Sequence, residues 1–481
     1  MATPDRPNIV LITTDQQRYD TLGVMGNGLI RTPNLDALAG RGTLFEHAYI
    51  QNTVCIPSRA CLQTGRYTHQ HGVMYMESEI DLTPGLPEWE VTFMERLQAA
   101  GYRTGATGKI HMMPQKGYNY ERLCGGKGAR WTEAEGSELG PGPLGPTYAG
   151  WLEARHPGGY EAIYEQRRCP EYRDHMTAIS NVLPREEYVD YWIAEESMEF
   201  LGHKDSRPFF LWCGFCGPHG PIDPPKPYDE IYPFDSVPLP KQRHDDPPGS
   251  PKGRPNARWH EDETLIRRWM SYYWGLVTCI DDMVGRIVEH LEARGLMDNT
   301  LIAFVSDHGE MAGDYNLMGK GNFYEEVIRV PLILVPPKGV ACRGRVSGLV
   351  ETSDLAPTIL DYAGVPIPPQ MPTRSLRPLA EGRGDTRESV LCESMTNDRS
   401  SKAKCIRTER FKYVFAGATG THEFYDLQED PDELHNLYGD PSRAEAVNRH
   451  KDLLLDRLMQ SEQFYYRDET PSARDLKVWL S

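Results

Sequence analysis

Two stretches of the chain share one pattern, an apolar run that ends in a carboxylate. Asn8-Ile-Val-Leu-Ile-Thr-Thr-Asp15 is the first and Thr300-Leu-Ile-Ala-Phe-Val-Ser-Asp307 the second. Runs of this length, apolar without alternation, predict strands buried on both faces. Helical stretches are predicted over 185–201 and 262–294. Thr32-Pro33 opens a short helix through Leu38, which Gly40 and Gly42 close. Strands and helices mixed in this way predict an α/β fold, a large mainly parallel sheet sandwiched by helices. Ligands collect at the carboxyl ends of the strands in such sheets, so Asp15 and Asp307 are expected on one rim.

Two regions lack periodicity: 114–184, rich in Gly, Tyr and Arg, and 217–256, rich in Pro. Irregular stretches this long are more often binding or lid loops than idle connectors, and substrate selection is expected there. Trp131, Tyr148, Trp151, Tyr160, Arg167, Arg168 and Tyr172 are candidates either for a pocket lining or for loop packing. Beyond a Pro-rich break at 365–372, short β-like runs fall at 389–392, 411–415 and 423–427, and a helix is predicted over 443–459. These elements predict a smaller α+β domain on an antiparallel sheet over 376–481, behind a catalytic domain of 1–375. The tail carries Phe464-Tyr-Tyr-Arg467 and Lys477-Val-Trp-Leu480, aromatics expected to dock on their own domain or on a second copy in a homo-oligomer.

Charge and cysteine usage narrow the partners. A formal net charge of -17 argues against nucleic acid, yet leaves room for a small anionic substrate, because a few cations set the potential of a cleft. The longest apolar stretches, such as 8–13 and 330–335, are too short to cross a bilayer, and the first residues lack a basic segment followed by an apolar one. A cytoplasmic protein without membrane contact is therefore expected. Ten cysteines in 481 residues are read as mostly buried reduced thiols. That includes Cys213-Gly-Phe-Cys216, which no second pair with metal-finger spacing answers.

The densest chemical signal is Cys55-Ile-Pro-Ser-Arg59-Ala-Cys-Leu-Gln-Thr-Gly65. Pro57 suits the first turn of a helix and Gly65 its end, which places Cys55 just before the helix N-terminus. The positive potential there, with Arg59 one turn on, would stabilise an anion at position 55. Taken alone, this fits a chance helix start or a plain low-pKa thiol nucleophile equally well. Lys109 and His111 alternate in Gly-Lys-Ile-His, so in an extended segment both would face one side.

The Cys55 segment resembles the signature of the formylglycine-dependent (type I) sulfatases, an arylsulfatase-like family of the alkaline-phosphatase superfamily. The core Cys55-x-Pro57-x-Arg59 matches cleanly; Gln63 fills a slot where the family pattern has Leu next to Thr. Further blocks follow in family order: 7–15, Thr32-Pro-Asn-Leu-Asp-Ala-Leu38, Thr107-Gly-Lys-Ile-His111, Gly217-Pro-His-Gly-Pro221, Ser306-Asp-His-Gly-Glu310, Gly319-Lys-Gly321 and Tyr425-Asp-Leu-Gln-Glu-Asp-Pro-Asp-Glu-Leu434.

The resemblance implies a divalent metal held by Asp15, modified Cys55, Asp307 and His308. Gln16 stands where many members have a second Asp, as in choline-sulfatase-like enzymes and phosphonate monoester hydrolases. Oxygen donors favour Ca2+, with Mg2+ and, because of the imidazole, Mn2+ behind it. It further implies that Cys55 becomes formylglycine through a formylglycine-generating enzyme. Lys109 and Lys320 would bind the sulfate, with Arg59 adding positive charge. His219 would protonate the leaving alcohol, and His111 would take the proton that restores the aldehyde from its hydrate. The implied reaction is hydrolysis of a small sulfate ester. One alternative is a phosphonate monoester or phosphodiester hydrolase, kept open by Gln16 and opposed by the Lys109-x-His111 pair. Another is a non-catalytic metal- or anion-binding protein in which Cys55 stays a thiol.

Overall fold

The computed structural model describes residues 6–75, 85–127, 145–241, 262–395, 402–417 and 422–462. Both acid-terminated runs are strands at the centre of one sheet: β1 is Asn8–Asp15 and β6 is Thr300–Ser306. Around them lie β2 (Thr43–Tyr49), β3 (Arg103–Gly108), β4 (Tyr120–Leu123), β5 (Phe209–Pro218), β7 (Arg329–Val330), β8 (Leu332–Val335) and β9 (Gly344–Glu351). Their order is β4-β3-β5-β1-β6-β8-β2-β7, with β9 beside β2. The pairs from β4 to β6 are parallel, as is β2 with β9; β8 and β7 run against their neighbours. The register runs from Asn8 opposite Thr300 to Thr14 opposite Ser306, so Asp15 and Asp307 do share one rim.

Alternate residues of the central strands feed two cores. Val10, Ile12, Leu211, Ile302 and Phe304 pack with the helices Val189–Gly202 and Glu263–Ala293. Ile9, Leu11, Trp212, Leu301 and Val305 face the opposite layer, with Phe93, Leu97, Leu355 and Ile359. Apolar residues at both parities are what a sheet covered on both sides demands.

A second, antiparallel sheet is built from β10 (Ser389–Met395), β11 (Lys402–Thr408), β12 (Phe411–Ala416) and β13 (Glu423–Asp426). The helix Ala444–Gln460 covers it through Val447 and Leu454, which pack with Ile406 and Phe424.

The irregular reading of 114–184 needs correction, because three helices occupy Gly145–Arg155, Gly159–Arg168 and Pro170–Asp174. Tyr148 and Tyr172 are buried, and Tyr148 packs on Trp151 and Trp192 at ring separations of 6.0 and 5.4 Å. Tyr148 therefore belongs to helix packing rather than to a pocket lining. Arg168 pairs with Glu165 at the surface. Trp131 and the aromatic tail lie outside the described residues.

Among the described residues no helix is long and apolar enough to cross a membrane. All ten cysteines are free thiols and eight are buried. A cavity of about 1120 Å³ opens at the amino ends of β1, β3 and β5, away from the carboxylate rim. Three of its cations serve helix ends: Arg6 donates to Ala100 O at 2.5 Å, Arg103 to Phe200 O at 3.2 Å and Arg294 to Gly202 O at 2.6 Å.

Candidate active site

The two rim carboxylates are held by one guanidinium. Arg59, fully buried one turn into the helix Cys55–Thr64, donates from Nε to Asp307 Oδ2 at 2.8 Å and from Nη2 to Asp15 Oδ2 at 3.3 Å. Its Nη1 donates to the Lys109 carbonyl at 2.8 Å. Every arm of Arg59 is thus engaged by protein, and the guanidinium orients both acids. Lys109 Nζ sits 2.6 Å from Asp15 Oδ2. Burial alone would raise the Asp15 carboxyl, but Lys109, His219, Lys320 and Arg59 hold it well below the usual carboxylate range. Asp15 Oδ1 is buried without a hydrogen-bond partner among the described residues. His308 Nε2 and His219 Nε2 face it at 3.8 and 4.0 Å.

Cys55 is the first residue of its helix rather than the one before it, and Gly65, at φ 64°, closes the helix in the left-handed region. Lys320 Nζ donates to Cys55 Sγ at 3.0 Å. Burial pushes this thiol up, but Lys320 and hydrogen bonds from His111 and His308 bring it well below its ordinary value.

The extended reading of Lys109 to His111 is also corrected. β3 ends at Gly108, with φ 77° and no room for a Cβ beside the Gly214 carbonyl, and His111 takes a left-handed φ of 54°. Both side chains still reach the site, Lys109 at Asp15 and His111 at Cys55. Burial works against the Lys109 ammonium, but Asp15 and Cys55 raise it above its ordinary value. Burial and Lys109 push the His111 imidazole down.

Gln16 links the acids to Lys320. Its backbone N–H donates to Asp307 Oδ1 at 3.0 Å, its Nε2 to Glu310 Oε2, and its Oε1 accepts from Lys320 Nζ at 3.2 Å. Glu310 Oε1 also accepts the backbone N–H groups of Ala312, at 3.0 Å, and Gly319. His308 donates Nδ1–H to Gly309 O at 2.8 Å, which turns Nε2 toward the cluster, where Lys320 donates to it at 2.8 Å.

His219 follows β5 in a loop, its Nδ1–H donating to Gly220 O at 2.7 Å. Burial, with Lys320 and Lys109 adding to it against Asp15, pushes this imidazole down to about 3. The substrate-free ring is therefore neutral, with Nε2 open toward Asp15.

One ligand atom from each of Asp15, Cys55, Asp307 and His308 lies within 4.8 Å of the others, all four residues buried. A divalent metal fits this donor set on three grounds. Asp15 Oδ1 is unspent, the His308 tautomer is fixed for ligation, and the Lys320 ammonium already stands among Gln16 Oε1, Cys55 Sγ and His308 Nε2. All ten residues expected from the sequence thus converge. Glu310 was part of a quoted block but carried no expected role, and nothing in the local sequence marked it.

The sulfatase family profile matches residues 7–365, and a profile described as N-sulphoglucosamine sulphohydrolase, C-terminal, matches 313–460. The chain belongs to the sulfatase family. An arylsulfatase of Clostridium perfringens (strain 13 / Type A) is 32% identical over 472 residues, 96% of each chain. An N-acetylglucosamine-6-O-sulfatase of Bacteroides thetaiotaomicron is 25% identical over 542 residues, covering 98% of this chain and 88% of its own. Among solved structures, the phosphonate monoester hydrolase of Agrobacterium radiobacter shares the fold, with a TM-score of 0.77 at 23% identity over 95% of this chain and 96% of that one. This sulfatase is a sulfuric ester hydrolase, and its family brings a divalent metal and a formylglycine to a site such as the buried cluster around Cys55.

Proposed function

We propose that the chain hydrolyses an aryl or sugar O-sulfate with Ca2+ held by Asp15, Gln16, the formylglycine from Cys55, Asp307 and His308. The observation that carries this reading is Cys55 at a helix start, inside a buried cluster of two carboxylates, an imidazole and Lys320. When bound, the metal polarises the sulfate oxygens, and the hydrated aldehyde at position 55 supplies the attacking hydroxyl. Lys109 and Lys320 hold sulfate oxygens, and Arg59 keeps both acids aimed. An anionic ester beside Nε2 favours the imidazolium of His219, which takes up a proton as substrate binds. That proton passes to the ester oxygen as the S–O bond breaks. His111, whose imidazole burial and Lys109 push down, would accept the proton of the remaining hydroxyl as the C–O bond to the sulfate breaks, so that inorganic sulfate leaves and the aldehyde at position 55 is restored.

Maturation would need a formylglycine-generating enzyme acting on Cys55-x-Pro57-x-Arg59. Those three side chains are buried in the fold, so that enzyme must meet the chain before it folds. A phosphonate monoester hydrolase is the second reading, and Gln16 in place of an Asp is what favours it.

The test is the mass of the peptide containing Cys55, from protein made alongside a formylglycine-generating enzyme. A loss of about 18 Da, the difference between a thiol and an aldehyde side chain, is expected. An unmodified thiol would sink the mechanism. Parallel assays with 4-nitrophenyl sulfate and a phenylphosphonate ester then assign the reaction, and the larger kcat/KM on the phosphonate would reverse the order of the two readings.

A further inference from the structure

The loop that carries His219 is tied down at both ends by buried polar groups. At its start, the backbone N–H groups of Cys216 and Gly217 donate to Asp190 Oδ1 at 2.7 and 3.3 Å. At its end, Lys127 Nζ donates to the Pro221 carbonyl at 3.1 Å and to Asp223 Oδ1 at 3.2 Å. We propose that Lys127 is a positioning residue for the leaving-group acid, holding the far end of this loop so that His219 Nε2 stays over the reacting oxygen. The inference rests on the reading of His219 as that acid.

An ammonium only 2% exposed is costly unless each of its protons has an acceptor. Lys127 has three acceptors, the third being Tyr188 Oη at 2.7 Å. Two of the three belong to the loop, two and four residues beyond His219. Asp223 is braced in turn: Tyr188 Oη donates to its Oδ1 at 3.1 Å and Asn181 Nδ2 to its Oδ2 at 2.9 Å. The loop is also stitched to the neighbouring segment, where Ile179 N–H donates to Ile222 O at 3.2 Å and Asn181 N–H to Pro224 O at 3.0 Å. His219 is thus suspended between Asp190 on one side and the Lys127–Asp223 pair on the other.

The residue before Lys127 reaches the sulfate side of the site. Gly126 has φ 124°, and a Cβ there would lie 3.2 Å from Lys109 Nζ. The short run after β4 therefore touches both a sulfate-binding cation and the anchor of the acid. A buried lysine can find its acceptors anywhere in the surrounding fold, and two of the three that Lys127 has belong to the catalytic loop. One that sets the loop must point at it, as Lys127 does. A shift of about 1 Å in a proton donor is enough to lose roughly 100-fold in rate.

The test uses the matured full-length enzyme and a series of aryl sulfates whose phenols differ in acidity. Lys127→Met is compared with Lys127→Met/Asp223→Asn, which removes the buried carboxylate charge that Arg167 alone would otherwise offset should the single variant fold poorly, and with Lys127→Arg. For the least acidic phenols, kcat is expected to fall about 100-fold while KM moves by less than about 3-fold. For 4-nitrophenyl sulfate, whose leaving group needs little protonation, the loss is expected to be several-fold at most. His219→Ala should steepen the leaving-group dependence in the same way, and adding Lys127→Met to it should steepen it no further. Lys127→Arg should regain part of the loss on the poor leaving groups. Equal losses across the series, beside a steep His219→Ala, would overturn the role of Lys127 alone. A flat dependence in both variants would overturn the acid reading and this inference with it.

Discussion

A primary amide placed between a carboxylate and an ammonium has one orientation that satisfies both neighbours. Gln16 is in that position: Glu310 can only accept, so Nε2 turns to it, and Lys320 can only donate, so Oε1 turns to Lys320. The oxygen at position 16 is therefore aimed by Glu310, a residue whose side chain is not itself among the clustered ligand atoms. Without that carboxylate the amide is free to present its NH2, which no cation would accept as a partner. On the proposed reading, in which Gln16 helps hold Ca2+, the affinity for that ion, measured by calorimetry, is expected to fall about 10-fold in Glu310→Gln. It should fall no further in Glu310→Gln/Gln16→Ala than in Gln16→Ala alone. Independent, additive losses would mean that Glu310 does not act through Gln16.

At the scale of elements, the helix Pro33–Arg41 begins without a cap of its own, because the Thr32 side chain accepts none of its backbone N–H groups. The cap comes from across the fold. Asp281, on the helix Glu263–Ala293, accepts the backbone N–H groups of Asn34 and Leu35 at 3.1 and 2.7 Å, and Asn34 Nδ2 at 2.8 Å. Asp281→Ala strands the buried Leu35 N–H and the half-buried donors of Asn34 and should cost about 2 kcal/mol. Denaturant unfolding should show a lower midpoint at unchanged slope; a change within about 0.5 kcal/mol would mean that the helix start is served otherwise. Such a cap is illegible in a sequence, since its partners lie 246 residues apart. What was legible is periodicity with a local signal. The helix predicted over 262–294 runs Glu263–Ala293, its first turn capped by the Asp262 side chain. β11 was not predicted because Lys402-Ala-Lys-Cys-Ile-Arg-Thr408 mixes charges into the strand, and these are partnered only once the sheet forms. Lys109 and His111 show a third case: their identities pointed to the right place, while the extended backbone inferred for them was wrong. The chemistry of a site is carried by residue types, but the path that brings them together is set by contacts distant in sequence, such as Gly108 against Gly214.

The whole molecule is joined across its two sheets by buried charge. Glu325 precedes β7 of the large sheet, Lys412 lies on β12, and Glu433 follows β13. Lys412 Nζ reaches Glu433 Oε1 at 2.7 Å and Glu325 Oε1 at 2.9 Å, while Tyr49 Oη donates to Glu325 Oε2 at 2.7 Å. One ammonium thus serves two carboxyls, and they divide unequally. Burial works against both, but Lys412 and Arg407 hold Glu325 far below its ordinary value. At Glu433 burial, with the charges of Glu325 and Glu326, outweighs Lys412 and pushes the carboxyl up to about 7. The folded chain therefore keeps a proton that the unfolded chain releases near pH 4.5. Between about pH 4.5 and 7 the unfolded state binds fewer protons, so this group makes stability fall as pH rises and adds nothing further above that window. Other titrating groups overlay the absolute profile, so the difference against Glu433→Gln, which cannot ionise, isolates the effect. The variant's unfolding free energy relative to the parent is expected to climb by about 2 kcal/mol from pH 4.5 to 7, read from urea titrations at several pH values. A difference that stays level across that range would mean Glu433 is ionised throughout, and that the ammonium of Lys412 holds both carboxylates charged between the sheets.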